Sequence, residues 1–329
     1  MRIAVDAMGG DRAPHNILEG VRLFREEDEH TDILLVGQAE QLEDAARDLN
    51  AQVVNAPSVV SMHEAPSTAL KTKKDSSIAV SLALVKQGQA DAALSMGNSG
   101  ATVGFAWFSL GRLPNITKPA IVAPISTPKG VTLLLDVGAT VDCRPIHLLH
   151  FALMGSVFSQ LIFNVDQPRV GLLSIGEEES KGNELTLGAA PLLQQAPVHF
   201  IGNIEGTEVF SDKVDVIVCD GFIGNVILKF GEGLVEMFSR TLKMETDEVL
   251  GDDINLEHRM TLFRETIRRV DYTAFGGAQL LGVGGHCLIG HGRSGPRAVA
   301  NGIRASREAA EKCPISALSE ALENAGASE

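Results

Sequence analysis

Four loops of the chain place the dipeptide Gly-Asn where a helical stretch is expected to follow. They are SMGNSGA (95–101), ESKGNEL (179–185), FIGNIEG (200–206) and DGFIGNVILK (220–229). Glycine allows a ligand to approach the backbone closely, and asparagine can either cap a helix or donate its amide to an oxyanion. The loops therefore predict either an anion site or plain helix capping by Asn98, Asn183 and Asn225.

The second of these loops also carries charge. Residues 171–186, GLLSIGEEESKGNELT, run from a buried strand through consecutive glutamates to Lys181, Gly182 and Asn183. A lysine in a glycine loop can act as a point charge for a phosphate oxygen or a developing oxyanion, and Glu184 can hold that lysine or accept a proton. The stretch predicts a catalytic loop, with an ordinary solvated surface loop as the alternative.

Two more glycine loops have the composition of anion sites. The first, GNSGAT (97–102), puts Ser99 and Gly100 at a helix start but lacks the lysine of a P-loop. The second, GHGRSG (290–295), contains His291, which could bind an anion, act as an acid or be an ordinary loop residue. The N-terminal DAMGGD is not a GxGxxG motif, so the sequence gives no support for NAD.

Other kinds of catalytic site receive less support. The sequence contains no GxSxG elbow, and Cys219 lies inside the apolar run DVIVCD, which favours a core position. His147 and His150 have i,i+3 spacing, but no third metal ligand is evident beside them. Asp215 and Asp220 could belong to a metal-dependent hydroxyacid dehydrogenase, although the strand between them explains both carboxylates.

Composition limits the partners. The 329 residues carry a formal charge of −14, which argues against nucleic acid because phosphate backbones are bound by clustered Lys and Arg. The four cysteines form no CxxC pair, which predicts reduced thiols and a cytoplasmic protein. The N-terminal sequence is not that of a signal peptide, and polar residues interrupt the apolar stretch 148–165, where we expect a buried helix.

Short apolar runs alternate with helical stretches along most of the chain. The runs are RIAVDA, DILLVG, AQVVNA, ADAALSMG, AIVAPIS, VTLLLDVG, RVGLLSIG, VHFIGN, VDVIVCDG and CLIG. Continuous apolar strands separated by helices predict an α/β fold with a mostly parallel sheet covered on both faces. Ligands bind such sheets at the carboxyl ends of the strands, which is where the glycine loops begin.

Two segments depart from this alternation. Residues 120–136 hold two apolar runs around a Ser-Thr-Pro-Lys-Gly turn, which predicts an antiparallel hairpin. Residues 242–278 have a helical pattern throughout, acidic in the first part and arginine-rich in the second. We expect a main α/β lobe at 1–95 and 276–329, and a second lobe at 96–275 that contains the hairpin and these helices.

Taken in order, these stretches resemble the bacterial phosphate acyltransferase family. The resemblance rests on the motifs RIAVDAMGGD, GNSGA, LLLDVGA, MGSV, PRVGLL, KGNE, FIGN, DGF.GNV.LK, GGA and HG.S. It implies a three-layer α/β/α fold with two lobes, similar to the isocitrate and isopropylmalate dehydrogenases and the phosphotransacetylases. It also implies a homodimer that makes acyl phosphate from inorganic phosphate and the thioester of acyl carrier protein. A membrane glycerol-3-phosphate acyltransferase would use that product in phospholipid synthesis.

The resemblance groups the loop residues into one expected site. Its catalytic residues would be Lys181, Asn183, Glu184 and His291. Phosphate and the thioester would be bound by Asp6, Gly9, Gly10, Asn98, Ser99, Gly100, Gly182, Asp220, Gly221 and Asn225. The acidic carrier would dock on Arg264, Arg268 and Arg269, because a chain of net charge −14 otherwise repels it. Direct attack by phosphate needs neither a metal nor an organic cofactor.

Two features depart from the family pattern. Arg12 stands where relatives often have histidine, and residues 245–257 are acidic where relatives tend to be basic and apolar. The acidic segment makes contact with a membrane less secure than the chemistry, so we expect a cytoplasmic enzyme with a peripheral membrane position as the alternative. Two other functions stay open: a phosphotransacetylase that uses coenzyme A, and a noncatalytic scaffold that binds acyl carrier protein.

Overall fold

The computed structural model describes residues 1–249 and 275–324, whose eleven strands form one sheet with helices on both faces. The strands are β1 (Arg2–Asp6), β2 (Asp32–Gly37), β3 (Gln52–Asn55), β4 (Ala92–Ser95), β5 (Ala120–Thr127), β6 (Gly130–Leu135), β7 (Arg169–Leu173), β8 (His199–Ile204), β9 (Val216–Val218), β10 (Ala278–Leu281) and β11 (His286–Ile289). The helices are α1 (His15–Arg25), α2 (Ala39–Asp48), α3 (Pro66–Thr72), α4 (Ser77–Lys86), α5 (Ser99–Ser109), α6 (Pro145–Phe163), α7 (Glu184–Gln195), α8 (Gly221–Val249), α9 (Pro296–Lys312) and α10 (Ile315–Asn324).

Each apolar run identified in the sequence contains a strand, and the hairpin predicted at 120–136 is formed by β5 and β6. The sequence analysis missed β10, a short strand at the end of the segment predicted to be helical. That prediction is wrong for residues 276–278, because Gly276 and Gly277 adopt positive φ angles of 71° and 156° and β10 begins directly after them. Arg264, Arg268 and Arg269 lie outside the described residues.

The sheet consists of two parallel halves that run in opposite directions. Its strand order is β3-β2-β1-β4-β11-β10-β5-β6-β9-β7-β8. The strands from β3 to β11 in that order are mutually parallel, and so are those from β6 to β8. The pairs β11–β10, β10–β5 and β5–β6 are antiparallel and reverse the direction. The mostly parallel α/β sheet predicted from the sequence is confirmed.

Strand β5 sets how the two halves meet. Its first residues, up to Val122, pair with β10, and its remaining residues, from Ala123 onward, pair with β6. Strand β11 ends opposite Ala278, and the residue after Ala278 pairs with Val122. On the other side of β5, strand β6 ends one residue after the residue that pairs with Ala123. The carboxyl ends of both half-sheets therefore converge near the middle of β5. The boundaries of the two expected lobes stay a prediction.

The helices cover both faces of the sheet, as expected for three layers. Helices α1, α2, α6, α7, α9 and α10 contribute to the apolar clusters on one face, and α3, α4, α5 and α8 to those on the other. Helix α6 lies in the segment predicted to be a buried helix. It has the length and apolarity of a membrane span, but 61% of its most apolar stretch is buried inside the protein. Its apolar residues serve the core.

His286 in the central strand β11 makes stability depend on pH. Burial lowers its pKa from 6.5 to about 4, with Asp91 opposing the shift. The unfolded chain therefore binds a proton that the folded chain does not, so stability falls as pH drops from 6.5 towards 4, by about 3 kcal/mol. We expect His286→Asn to lose this part of the pH dependence in urea unfolding, and His63→Asn, at an exposed histidine, to keep it. If the free energy of unfolding depended on pH equally in the two variants, the assignment of this dependence to His286 would be contradicted.

Candidate functional site

A cleft of about 300 Å³ lies where the two half-sheets meet. The loops and helix starts that follow β4, β6, β9 and β11 contribute Ser99, Gly138, Asn225 and His291 to its lining. Gly221, at the start of α8, also lines it. Four of the residues that the sequence assigned to the site are therefore brought together, because strands from both half-sheets end at this place.

Three helices begin at the cleft, and the N-terminus of each carries a partial positive charge. Helix α5 begins at Ser99 and α8 at Gly221, and both have a side-chain cap. The cap of α8 is the carboxylate of Asp220, whose Oδ1 accepts hydrogen bonds from the backbone N–H groups of Phe222 and Ile223, at 2.9 and 3.0 Å. Helix α9 follows Gly295 and has no side-chain cap. Its first turn is therefore the most open to an anion.

Asn98 has a structural role at the first of these helices. Its Oδ1 accepts a hydrogen bond from the N–H of Ala101 at 3.0 Å, which caps α5. Its Nδ2 lies within donating distance of the carbonyl oxygens of Ser61, Met62 and Glu64, at 3.2, 3.2 and 2.9 Å. The amide is 8% exposed and holds the 61–64 loop against the helix. Helix capping, the alternative stated from the sequence, describes Asn98.

Asn225 lies differently, because Asp220 already caps the helix. It is the fifth residue of α8, is exposed and lines the cleft. Lys229 and Glu232 follow at i+4 and i+7 and line the same cleft, with Lys229 Nζ 2.8 Å from Glu232 Oε2. Sequence reasoning missed both residues, although Lys229 closes the quoted DGFIGNVILK stretch. The signal that could have found them is the helical spacing from Asn225.

His291 is held as a hydrogen-bond donor. Its Nδ1 accepts the backbone N–H of Arg293 at 3.1 Å, so the neutral ring carries its proton on Nε2. Burial lowers the pKa of His291, and the nearby charge of Lys229 lowers it further. The imidazole is therefore neutral at neutral pH, with an Nε2–H group available in a cleft that it lines.

Asp6, Gly9 and Gly10 position the loops around the cleft without lining it. The buried carboxylate of Asp6 accepts hydrogen bonds from Ser95 Oγ at 2.6 Å and from the N–H of Met8 at 3.1 Å, while burial raises its pKa. A Cβ atom at Gly9 would lie only 2.4 Å from Oδ2 of Asp6, so this turn requires glycine. The same turn holds the His291 loop, because the N–H of Asp11 donates to the Gly292 carbonyl at 2.8 Å.

Asp136 at the end of β6 has the corresponding role in the other half-sheet, and sequence reasoning did not assign it to the site. Its fully buried carboxylate accepts backbone N–H bonds from Ile121, Gly138, Ala139 and Thr140, at 2.8, 3.1, 3.0 and 2.6 Å. Burial raises the pKa of Asp136 to about 6, whereas these donors favour the ionised form. One carboxylate thus ties β5 to the loop that forms a wall of the cleft.

The Lys181 loop lies away from the cleft. It follows β7, which β9 separates from β6 in the sheet, and its residues are not part of the cleft lining. Lys181 is exposed, and its carbonyl oxygen accepts a bond from Ser174 Oγ at 3.2 Å. Asn183 caps α7 by accepting the N–H of Thr186 at 3.0 Å, with Gly182 before it and exposed Glu184 after it. The structure therefore does not place Lys181, Gly182, Asn183 and Glu184 beside His291.

The residues considered for other chemistries have structural partners. Asp215 forms a two-point ion pair with Arg169, with both N···O distances at 2.9 Å, and this pair joins β9 to β7. Cys219 is 3% exposed in the core, as predicted. His147 and His150 are buried in α6. Within residues 1–249 and 275–324, no group of three His, Cys, Asp or Glu side chains could hold a metal ion.

Asp136 provides a test of how the cleft wall is held. We expect Asp136→Ala to lower the free energy of unfolding by at least about 3 kcal/mol, because it leaves several buried N–H donors without an acceptor. Asp142→Ala, at an exposed position shortly after it, should change stability by less than about 0.5 kcal/mol. Urea unfolding of both variants measures the difference, and similar stabilities would refute the role given to Asp136.

Comparisons with known proteins identify the family and support the fold. The family model described as "Fatty acid synthesis protein" matches residues 1–317. A phosphate acyltransferase from Desulforudis audaxviator is 47% identical over 310 residues, which covers 94% of this chain and 92% of the relative. Another, from Heliobacterium modesticaldum, is 44% identical and covers 97% of each chain. A Staphylococcus aureus phosphotransacetylase structure has a TM-score of 0.62 at 15% identity, with 94% of each chain covered, and supports the fold alone.

Proposed function

The chain belongs to the fatty acid synthesis protein family and is an acyltransferase like its curated relatives, and on this premise we propose the following reaction. The enzyme transfers an acyl group from the thioester of acyl carrier protein to inorganic phosphate and so forms an acyl phosphate for phospholipid synthesis. The relatives' name, phosphate acyltransferase, supports phosphate as the acceptor. The carrier as donor is the finer part of the proposal, and the experiment below tests it.

One observation carries the proposal: an uncapped helix N-terminus, a neutral histidine donor and a lysine converge on one cleft. The start of α9, with Ser294 beside it, can bind phosphate oxygens through backbone N–H groups and a hydroxyl. Ser99 at the start of α5 adds a second hydroxyl from the facing wall. Lys229 supplies a positive charge, which its ion pair with Glu232 partly neutralises. This set of donors suits a small anion.

The remainder of the cleft suits an acyl thioester. Its apolar lining residues include Ile121, Ala123, Val137, Val141, Phe222 and Leu228. A thioester carbonyl placed against them would lie beside the polar groups of the other wall. The cleft therefore has room for both substrates, as a direct transfer requires.

In the proposed reaction, a phosphate oxygen attacks the thioester carbonyl carbon and forms a C–O bond. The carbonyl oxygen becomes a tetrahedral oxyanion, to which His291 Nε2–H and Asn225 Nδ2–H can donate hydrogen bonds. The C–S bond then breaks, and the carrier leaves as a thiolate. Because phosphate is already ionised and a thiolate is a good leaving group, positioning and charge neutralisation are sufficient, without a covalent enzyme intermediate.

The proposed partners need surfaces beyond the cleft. Phe222, Val226 and Phe230 form an exposed apolar stripe on α8 at i, i+4 and i+8, 59%, 51% and 68% exposed. Such a stripe supports the proposal that two copies pack as a homodimer, which sedimentation of the purified chain would test. Docking of the carrier on Arg264, Arg268 and Arg269 stays a proposal. Contact with a membrane glycerol-3-phosphate acyltransferase and a cytoplasmic location stay proposals too.

The reaction is tested with purified protein in phosphate buffer, with hydroxylamine to trap acyl phosphate. We expect product from palmitoyl acyl carrier protein and much less from palmitoyl coenzyme A at the same concentration. Product from coenzyme A alone would favour a phosphotransacetylase. Formation of no product from either donor, by folded protein, would overturn the proposed reaction and favour the noncatalytic scaffold.

Single substitutions test whether catalysis depends on the residues that line the cleft or on the Lys181 loop expected from the sequence. We expect His291→Ala to lower turnover by about a hundredfold, and His291→Gln to recover part of it because glutamine retains an N–H donor. Lys229→Ala should lower kcat/KM by about tenfold, with Lys129→Ala at the exposed hairpin turn as the matched control. Lys181→Ala should retain nearly normal turnover. A large loss in Lys181→Ala with little loss in His291→Ala would reverse the assignment.

A further inference from the structure

A second cavity, of about 320 Å³, lies between helices α6 and α9. The proposed reaction does not use it. Most of its lining is apolar and comes from the sheet and the two helices: Val122, Pro124, Phe158, Ile162, Phe163, Leu288, Ala305 and Ala309. The polar residues Asn301, Arg304 and Glu308 form one side of it on α9, and Gln279 lies on the sheet side.

The second cavity and the cleft lie on opposite faces of the sheet. Neighbouring residues of the same strands line them alternately. Ile121 and Ala123 of β5 line the cleft, whereas Val122 between them lines the second cavity. The same alternation separates Ile289 from Leu288 in β11. Because successive side chains of a strand point to opposite faces, the sheet itself divides the two spaces.

The two spaces nevertheless share part of their walls. Pro124, Phe275 and Gly277 line both. Phe275 and Gly277 lie just before β10, and Pro124 lies in β5 close to where its pairing changes from β10 to β6. The two spaces therefore adjoin at these three residues.

Gly277 places no side chain in the wall that the two spaces share. Its φ angle is 156°, and a Cβ atom there would lie 2.9 Å from the carbonyl oxygen of Ile289. Any larger residue would therefore push β10 away from β11 or project towards the shared wall. Because Gly277 has no side chain, Pro124 and Phe275 supply the side chains that line both spaces.

We propose that the acyl chain of the thioester passes from the cleft around Gly277, between Pro124 and Phe275, into the second cavity. This inference rests on the proposed function, since it assigns a place to the chain of that substrate. The thioester carbonyl stays in the cleft beside His291. At roughly 30 Å³ for a group the size of water, the second cavity has room for about ten chain carbons. The length of the acyl chain is thereby selected in the second cavity, on the face of the sheet opposite to the cleft that holds the thioester carbonyl.

Kinetics with short and long donors test the passage. Ala305→Phe adds a ring inside the second cavity, and Ile162→Ala enlarges it from the opposite helix. We expect Ala305→Phe to lower kcat/KM for palmitoyl acyl carrier protein by about tenfold or more while leaving the butyryl donor nearly unchanged, because each buried methylene contributes to binding. Ile162→Ala should keep kcat/KM for palmitoyl acyl carrier protein close to that of the unchanged protein. Ser316→Phe, exposed on α10, is the control and should affect neither donor.

A second measurement does not depend on turnover. Acyl carrier protein that carries a palmitoyl chain with a terminal diazirine is photolysed with the wild-type protein, and the crosslinked peptides are identified by mass spectrometry. We expect crosslinks to α6 and α9, and their loss in Ala305→Phe. Crosslinks confined to the cleft or to the surface, or equal effects of Ala305→Phe on both donors, would overturn the inference. If the wild-type protein forms no acyl phosphate, the proposed function fails, while the crosslinks still decide where the chain binds.

Discussion

The structure depends on the way one strand, β5, is divided between two partners. It pairs with β10 up to Val122 and with β6 from Ala123, and its two partners belong to half-sheets that run in opposite directions. In an ordinary parallel sheet the carboxyl ends of all strands share one edge. Here two such edges face each other across the middle of β5, so loops from both half-sheets line one cleft. The arrangement also brings the cleft and the second cavity together at Pro124, Phe275 and Gly277, which line both.

A buried carboxylate stabilises the loops on each side of that junction. Asp6 at the end of β1 and Asp136 at the end of β6 are both fully buried and accept hydrogen bonds from the turns that follow them. Burial of a carboxylate is unfavourable unless such donors surround it. Because each loop supplies its own N–H groups, the cost of burial is offset only when the loop adopts this conformation. The carboxylates thereby hold the walls of the cleft in place although neither carboxylate lines the cleft.

The lining of the cleft depends on small differences between similar motifs. Asn98, Asn183 and Asn225 each follow a glycine, yet the first two cap helices and the third lines the cleft. The difference is the position of the helix start, because Asp220 caps α8 and releases Asn225 from that role. The same dipeptide therefore stabilises a helix start in two loops and lines the cleft in another. The charge of the Lys181 loop likewise has a local partner, since Glu177 pairs with Lys213 at 2.7 Å.

The sequence by itself determined the α/β fold, nearly all the strands, the β5–β6 hairpin and the family, because apolar runs, turn residues and ordered motifs are local signals. It also identified Ser99, Gly221, Asn225 and His291 among the residues of the cleft. Only the tertiary structure decided that the Lys181 loop lies elsewhere, that β10 is a strand and that Asp136, Lys229 and Glu232 belong to the surroundings of the cleft. The physical reason is the reversal of the sheet at β5. Which strand ends face one another depends on the order and direction of pairing between distant segments, which no local pattern encodes.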